Sequence, residues 1–334
     1  MGNKAMSLAA LQGPAMDRVW EQVRLVEIEL ATQVGSQVRL VAEIGHHTLA
    51  AGGKRLRPAL VSLSALATGR PFDSGRATRL GACMEMIHMA TLIHDDVIDH
   101  APTRRGRPTA AATFGNTASI LSGDVLLSKA MALLATDGDI NIIRCVSGAV
   151  VQMAEGEVME LEYRGRFDLS EEDHLRVLEM KTAVFIQACC EVGAFIAGSQ
   201  ESERLALASY GYHLGLAFQI VDDLLDYRGD QVKMGKQQAI DFREGCTTLP
   251  LIKLREAMTD AERVWAEERF GNGVADEEIL EVANWMERRG SFAQTFDSAA
   301  HHIQLAAEAL KGLPESAERK LLESVGEFVL ERQA

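Results

Sequence analysis

The chain has 334 residues, of which 47% are apolar and only 5% are aromatic. Leu, Ala, Val, Ile and Met supply most of the apolar residues, and this mixture favours helices. The formal net charge of −14 argues against a surface that binds nucleic acid or anionic membranes, because both polyanions would repel the chain.

The first hundred residues predict three helical segments. Apolar residues recur there at helical spacing, and Gly or Pro marks where each segment ends. The segments are a lead-in within 17–50, a short buried helix over 59–67 and a long helix over 77–99. A basic loop that begins at Pro102 follows the third segment.

The rest of the chain also predicts helices, and no strand pattern competes with them. Long helices fit 117–135, 139–163, 171–198 and 202–227, and shorter amphipathic ones follow Pro250. No linker or repeat divides the chain. We therefore expect a single all-α domain over residues 1–334, with residues 1–16 as a poorly ordered N-terminal segment.

The cysteines and the hydropathy predict a cytoplasmic protein. The five cysteines show no metal-ligand spacing, which indicates free thiols in a reducing compartment. No apolar run looks long enough to span a bilayer, and the N-terminus lacks the apolar core of a signal peptide.

Two aspartate clusters carry the strongest chemical signal. Asp95, Asp96 and Asp99 follow one apolar helical stretch, and the same DDxxD spacing recurs at Asp222, Asp223 and Asp226. Like charges at positions i and i+4 destabilise a helix, so a cation is needed to offset them. Oxygen-only ligands at this density suit Mg²⁺, which takes a few carboxylates together with substrate phosphates.

Basic side chains accompany the two clusters. Arginine and lysine bind phosphate oxygens, and arginine does so with a planar fork. Candidates for the oxygens of a diphosphate are Lys54, Arg57, Arg104, Arg105, Lys181 and Lys236.

Together these motifs resemble the trans-isoprenyl diphosphate synthase family from about residue 20 to the C-terminus. The matching segments include Gly52-Gly53-Lys54-Arg55-Leu56-Arg57-Pro58, Asp95 to Asp99, Arg104-Arg105-Gly106, Gly123-Asp124, Lys181-Thr182-Ala183, Phe218-Gln219-Ile220 and Asp222 to Asp226. The resemblance implies a helical bundle around a central cavity and a homodimer. It also implies an enzyme that condenses isopentenyl diphosphate with an allylic diphosphate and releases diphosphate.

The resemblance also implies a role for each matching residue. Asp95, Asp99 and Asp222 would bind three Mg²⁺ ions with the allylic diphosphate, supported by Asp96, Asp223 and Asp226. Arg104, Lys181 and Lys236 would contact that diphosphate. Gly53, Lys54, Arg57, His88 and Arg105 would hold isopentenyl diphosphate, while Thr182 and Gln219 would face the reacting carbon.

Three positions depart from the family pattern. Ala239 stands where the family usually has Gly, and Cys246 stands where it has a phosphate-binding lysine. Arg243 is a candidate to compensate for that lysine. Glu160 replaces the Gln of long-chain relatives and adds negative charge.

The residues before the first cluster predict a long product. Short-chain relatives carry an aromatic floor four or five residues before the first aspartate, where this chain has Thr91 and Ala90. Ile87 and Met84 follow on nearly the same helix face and are candidate lower stops. The alternatives are a short-chain farnesyl or geranylgeranyl diphosphate synthase and a non-catalytic subunit of a heteromeric synthase. A terpene cyclase fits less well, because aromatics are few and Gly53 to Pro58 resemble an isopentenyl diphosphate site.

Overall fold

The computed structural model describes residues 13–228 and 238–331. Residues 1–12 of the expected N-terminal segment lie outside this range. The expectation is wrong for Pro14–Met16, because the first helix begins at Pro14 and buries Ala15 and Met16. Gly13 precedes this helix, and proline is well suited to a first helical position.

The described residues form an all-helical bundle. The first eight helices are α1 (Pro14–Gln33), α2 (Arg39–Ala50), α3 (Leu56–Ala67), α4 (Ser74–Ile98), α5 (Ala110–Phe114), α6 (Asn116–Asp137), α7 (Ile140–Tyr163) and α8 (Glu171–Leu178). The others are α9 (Val184–Ile196), α10 (Glu201–Arg228), α11 (Ile240–Glu244), α12 (Leu249–Ala257), α13 (Asp260–Arg269), α14 (Asp276–Arg288), α15 (Ser291–Ala309) and α16 (Ala317–Glu331). The all-α prediction is confirmed.

Two local features differ from the sequence-based expectation. The basic loop contains a two-residue antiparallel pair, β1 (Thr103–Arg104) and β2 (Arg107–Pro108), although no strand was predicted. The helix expected over 171–198 is interrupted by the π-helical turn Glu179–Ala183, which joins α8 to α9. Such single-turn π segments occur frequently at functional sites.

The helix α10 connects two apolar cores. It packs along both α9 and α15. Leu214 belongs to the larger core, whereas Leu224 and Tyr227, three turns further along the same helix, belong to the smaller one. The two cores thus share one helix, and the single domain stays a prediction.

The close approach of α9 to α3 depends on a glycine. A Cβ at Gly193 would overlap the carbonyl oxygen of Val61 and lie 2.8 Å from the Cβ of Ser64. We therefore expect Gly193→Ala to lower the free energy of unfolding by about 1–3 kcal/mol through overpacking. Chemical denaturation measures the change. Gly148→Ala is the matched control, because a Cβ there meets nothing within 4 Å, so stability should stay the same or rise. Equal stability of wild type and Gly193→Ala would contradict the packing argument.

The helix α6 corrects the hydropathy prediction. It has 22 residues, and an 18-residue window of it has a mean hydropathy of 1.5, so it is long and apolar enough to cross a membrane by these criteria alone. One such helix is weak evidence for a span. It also packs along α4, and Lys129 in its middle donates to the carbonyl oxygen of Gln33 at 2.7 Å.

Candidate active site

A cavity of about 1020 Å³ lies between the helices. This volume is at the upper end of the range for pockets that hold small molecules. Most of the predicted site residues line it, namely Gly53, Lys54, Arg57, His88, Asp95, Arg104, Arg105, Lys181, Thr182, Gln219 and Asp222. Asp96, Asp99, Asp223 and Asp226 are outside the lining, and Lys236 lies outside the described residues.

The two aspartate clusters meet at this cavity. Asp95 comes from the last turn of α4 and Asp222 from the last two turns of α10, and both line the cavity. The carbonyl groups at a helix C-terminus repel additional negative charge. Burial, reinforced by the nearby carboxylate of Glu157, raises the pKa of Asp95 to about 7. Burial also raises the pKa of Asp99. This excess of oxygen ligands and negative charge fits divalent cations held jointly by protein and diphosphate.

The remaining aspartates contact protein groups. Asp96 Oδ1 accepts a hydrogen bond of 2.7 Å from Arg104 Nε, and Asp223 Oδ2 lies 2.8 Å from Nε2 of His174. Backbone N–H groups after α10 donate to both oxygens of Asp226 at 3.2 and 3.1 Å. These three carboxylates therefore orient Arg104 and the ends of α4 and α10.

The π-helical turn positions Lys181 and Thr182 at the cavity. Lys181 Nζ lies 3.0 Å from Glu157 and also pairs with Glu160. Burial alone would lower the pKa of Lys181, but Glu160 and Glu157 raise it above its ordinary value. Sequence reasoning noticed Glu160 only as a departure and gave Glu157 no role. The side chains of these glutamates meet because they are three residues apart on α7.

A second group of cationic side chains lines the same cavity. Burial lowers the pKa of Arg57, and its buried Nε has no hydrogen-bond partner within the described part of the chain. His88 is held neutral, because burial and the nearby guanidinium of Arg57 place its pKa well below the ordinary value. Arg105 donates to the carbonyl oxygen of Gly52. A buried, unpaired N–H group beside other cations favours an anionic ligand.

Arg55 has a different task from its neighbours in the same motif. Its guanidinium donates to Glu85 at 2.8 Å, and both side chains are buried. Its backbone has a positive φ of 48° at the start of α3. This ion pair joins α4 to the segment that precedes α3, and it therefore holds Lys54 and Arg57 at the cavity.

The apolar part of the cavity begins below the first aspartate cluster. Ala90, Thr91 and Ile87 on α4 line it, as do apolar residues of α7. Met84 does not line it and is fully buried elsewhere in the core. The structure therefore supports Ile87, but not Met84, as a candidate lower stop.

The structure places Ala239, one of the departures from the family pattern, and Arg243, the candidate to compensate for Cys246. Ala239 is buried and has a positive φ of 52°, a conformation that glycine adopts at lower cost. Arg243 donates to the carbonyl oxygen of Val274 at 2.9 Å and pairs with Asp276 at 2.5 Å. Arg243 is thus committed to the turn before α14 and does not compensate for the lysine that Cys246 replaces.

Comparisons with known proteins cover nearly the whole chain. A family model described as polyprenyl synthetase matches residues 38–286. The octaprenyl diphosphate synthase of Escherichia coli (strain K12) is 36% identical over 310 residues, which cover 92% of this chain and 94% of that protein. The short chain isoprenyl diphosphate synthase of Methanothermobacter thermautotrophicus is 36% identical over 292 residues, which cover 86% and 89%. A crystal structure of polyprenyl synthase from Caulobacter crescentus CB15, complexed with calcium and isoprenyl diphosphate, has a TM-score of 0.90 and 33% identity over 100% of both chains.

Proposed function

The chain belongs to the polyprenyl synthetase family, and we propose that it is a prenyltransferase that condenses isopentenyl diphosphate with an allylic diphosphate. The observation that carries this proposal is the meeting of Asp95 and Asp222 at one cavity that also has cationic and apolar walls. Two charged regions suit two diphosphates, and the apolar part suits a growing hydrocarbon chain.

The charges in the cavity account for the first chemical step. The allylic carbon–oxygen bond breaks, its electron pair leaves with the diphosphate, and an allylic cation remains. Asp95, Asp99 and Asp222 would hold divalent ions, for which Mg²⁺ is the proposed metal, and such ions would supply charge neutralisation to this leaving group. Arg104 and Lys181 add positive charge beside them, so the negative charge develops in a site already arranged for it. The expected count of three ions stays a prediction.

The second diphosphate binds at the other group of cations. Lys54, Arg57 and Arg105 hold isopentenyl diphosphate, and neutral His88 contributes a hydrogen-bonding ring nitrogen. The alkene then attacks the allylic cation and forms the new carbon–carbon bond. The released diphosphate accepts the proton that is lost, so no nucleophilic side chain is required. Thr182 and Gln219 direct their dipoles at the cation.

We propose a long-chain all-trans product. Thr91 and Ala90, four and five residues before Asp95, are small, and the cavity continues past them to Ile87. The E. coli relative is named for an octaprenyl product. The name of the Methanothermobacter relative, a short chain isoprenyl diphosphate synthase, favours the short-chain alternative.

A condensation assay tests the proposal. Purified protein is incubated with MgCl₂, isopentenyl diphosphate and geranyl or farnesyl diphosphate, and the dephosphorylated products are separated by chromatography. We expect metal-dependent products longer than four isoprene units, and none after EDTA treatment. Absence of any condensation by the folded protein would overturn the enzyme assignment and favour the non-catalytic subunit. Products of three or four units would favour the short-chain alternative.

We also propose that the protein is a homodimer. Leu121 on α6 and Val158 on α7 are 58% and 57% exposed, large fractions for apolar side chains. Val158 and the partly exposed Leu161 also line the cavity, so a second copy over this face would close the cavity rim. Exposed apolar side chains at the rim of a cavity favour a protein interface.

Light scattering coupled to size exclusion tests the dimer. Wild type should have twice the mass of one chain, and Leu121→Glu should shift the protein towards the monomer because a buried charge is costly. Leu205→Glu on α10, at a side chain that is 53% exposed, is the matched control and should leave the mass unchanged. A monomeric wild type would contradict the proposal.

A further inference from the structure

Arg164 lies beside Cys246, the position where related synthases usually carry a phosphate-binding lysine. Two hydrogen bonds join the turn after α7 to the turn after α11, one on each side of Cys246. Gly165 N donates to Gly245 O at 2.7 Å, and Thr247 Oγ1 donates to Arg166 O at 2.8 Å. The two turns therefore remain in register, and Arg164 is kept next to Cys246.

Glycine makes this close contact possible. Gly245 has a positive φ of 75°, and a Cβ there would lie 3.3 Å from Gly165 N and 3.4 Å from Gly165 Cα. A side chain there would crowd Gly165 and strain the backbone of the turn. The juxtaposition of Arg164 and Cys246 is thus built into the backbone of both turns.

The guanidinium of Arg164 points towards the metal-binding region. Its Nη2 lies 3.8 Å from Asp99 Oδ1 and 3.9 Å from Glu244 Oε2, and Cys246 is close enough to interact electrostatically with it. Both carboxylate distances exceed that of a hydrogen bond, so these are loose ion pairs. The side chain is 35% exposed, and a ligand can therefore reach it.

Neither Arg243 nor Cys246 supplies the positive charge of the missing lysine. Arg243 is bound to Val274 and Asp276. Cys246 itself remains a neutral thiol, because burial and the nearby Glu160 raise its pKa to about 12. Among residues 13–228 and 238–331, Arg164 thus offers a guanidinium that lies both next to Cys246 and near Asp99.

We propose that Arg164 replaces the missing lysine and binds the diphosphate of the allylic substrate, an inference that rests on the proposed prenyltransferase function. A guanidinium can reach phosphate oxygens with two parallel hydrogen bonds and keeps its charge at all working pH values. The phosphate-binding cation is thus supplied by the turn after α7 instead of the turn after α11. Arg164 is therefore a substrate-binding residue that contacts the leaving group.

Arg164→Gln tests this role. We expect the KM for the allylic primer to rise by about tenfold or more, as for loss of a charge-assisted contact, while the KM for isopentenyl diphosphate stays unchanged. Titration calorimetry with inorganic diphosphate and MgCl₂ should show weaker binding by a similar factor, independently of turnover. Arg164→Lys keeps the charge and should lose less primer affinity than Arg164→Gln.

Arg166→Gln is the matched control. Arg166 is in the same turn, but its guanidinium lies 3.5 Å from Asp168 and its side chain is 49% exposed. The variant removes the same charge without removing the proposed contact, so both KM values should stay unchanged. An equal rise in the primer KM for Arg166→Gln would show that primer binding depends only on the overall positive charge of this turn. The inference would then fail.

A second-site rescue is the most specific test. Cys246→Lys in the Arg164→Gln background should restore primer and diphosphate binding, whereas the neutral, similarly long Cys246→Met should not. If wild type is active but Arg164→Gln leaves primer binding unchanged, or lysine and methionine rescue equally, Arg164 does not bind the leaving group. If wild type is inactive with every primer, the proposed function itself has failed.

Discussion

Asp95→Asn and Asp222→Asn should each lower turnover on the order of 10³-fold, the size of effect seen when one preorganised electrostatic group is removed. Each substitution keeps the shape of the side chain but removes a charged oxygen ligand from the cavity that both aspartates line. Single-turnover condensation under saturating MgCl₂ measures the loss. Asp168→Asn, at a side chain that is 79% exposed, is the matched control and should retain full activity. Near-normal turnover in either cavity variant would contradict the assignment of that aspartate as a metal ligand.

Asp95→Asn should lower turnover, but it should raise the stability of the metal-free fold. Burial raises the pKa of Asp95 from the ordinary 3.8 to about 7 in the folded protein. Between these two values the unfolded chain ionises while the folded protein keeps its proton, so the aspartate destabilises the fold increasingly as pH rises. Asparagine has no such proton to lose. Without metal, Asp95→Asn should melt at a higher temperature than wild type at pH 8, and the gap should shrink at pH 4. A gap that is equal at both pH values would show that Asp95 is not desolvated in the folded protein.

The helices were predictable because their signals are local. The long helix α4 was expected over 77–99 and is observed over Ser74–Ile98, and its start is fixed by Asp73, which accepts from the N–H of Gly75 at 2.8 Å. Periodicity could not reveal the π-helical turn Glu179–Ala183, because one extra residue in a turn leaves the composition helical. That turn carries Lys181, which residue type alone marks as a phosphate-binding candidate, but periodicity does not show that the turn brings it to the cavity.

The candidate site was predictable by residue type but not by orientation. The spacing of the clusters identifies the aspartates, yet it does not distinguish Asp95, which faces the cavity, from Asp96, which accepts from Arg104. Neighbouring helix positions point about 100° apart, so the distinction depends on which face of α4 meets the rest of the bundle. Arg164 illustrates the same limit, since the contact between the turns at Gly165 and Gly245 joins residues that are 80 positions apart.

The length of the product should depend on the face of α4 that lies below Asp95. Ala90 lines the cavity, and Ile87 continues the same wall almost one turn further from the aspartates. A phenyl ring at position 90 would fill the space through which the growing chain passes. We therefore expect Ala90→Phe to shorten the main product to about the length at which the chain first meets that ring, with the first condensation still active.

Substitutions deeper in the cavity should act in the opposite sense. Ile87→Ala removes a side chain from the wall and should lengthen the product if Ile87 ends the tunnel. Met84→Ala is the matched control, because Met84 is equally buried on α4 but does not line the cavity, so the product length should not change. Both truncations lower stability by a cavity term of about 2–5 kcal/mol, so a general loosening of the core would affect them alike. Chromatography of the dephosphorylated products separates the two explanations. An unchanged product length from Ala90→Phe would mean that the growing chain runs along a different wall of the cavity. Equal lengthening by Ile87→Ala and Met84→Ala would mean that this face of α4 does not set the length of the product.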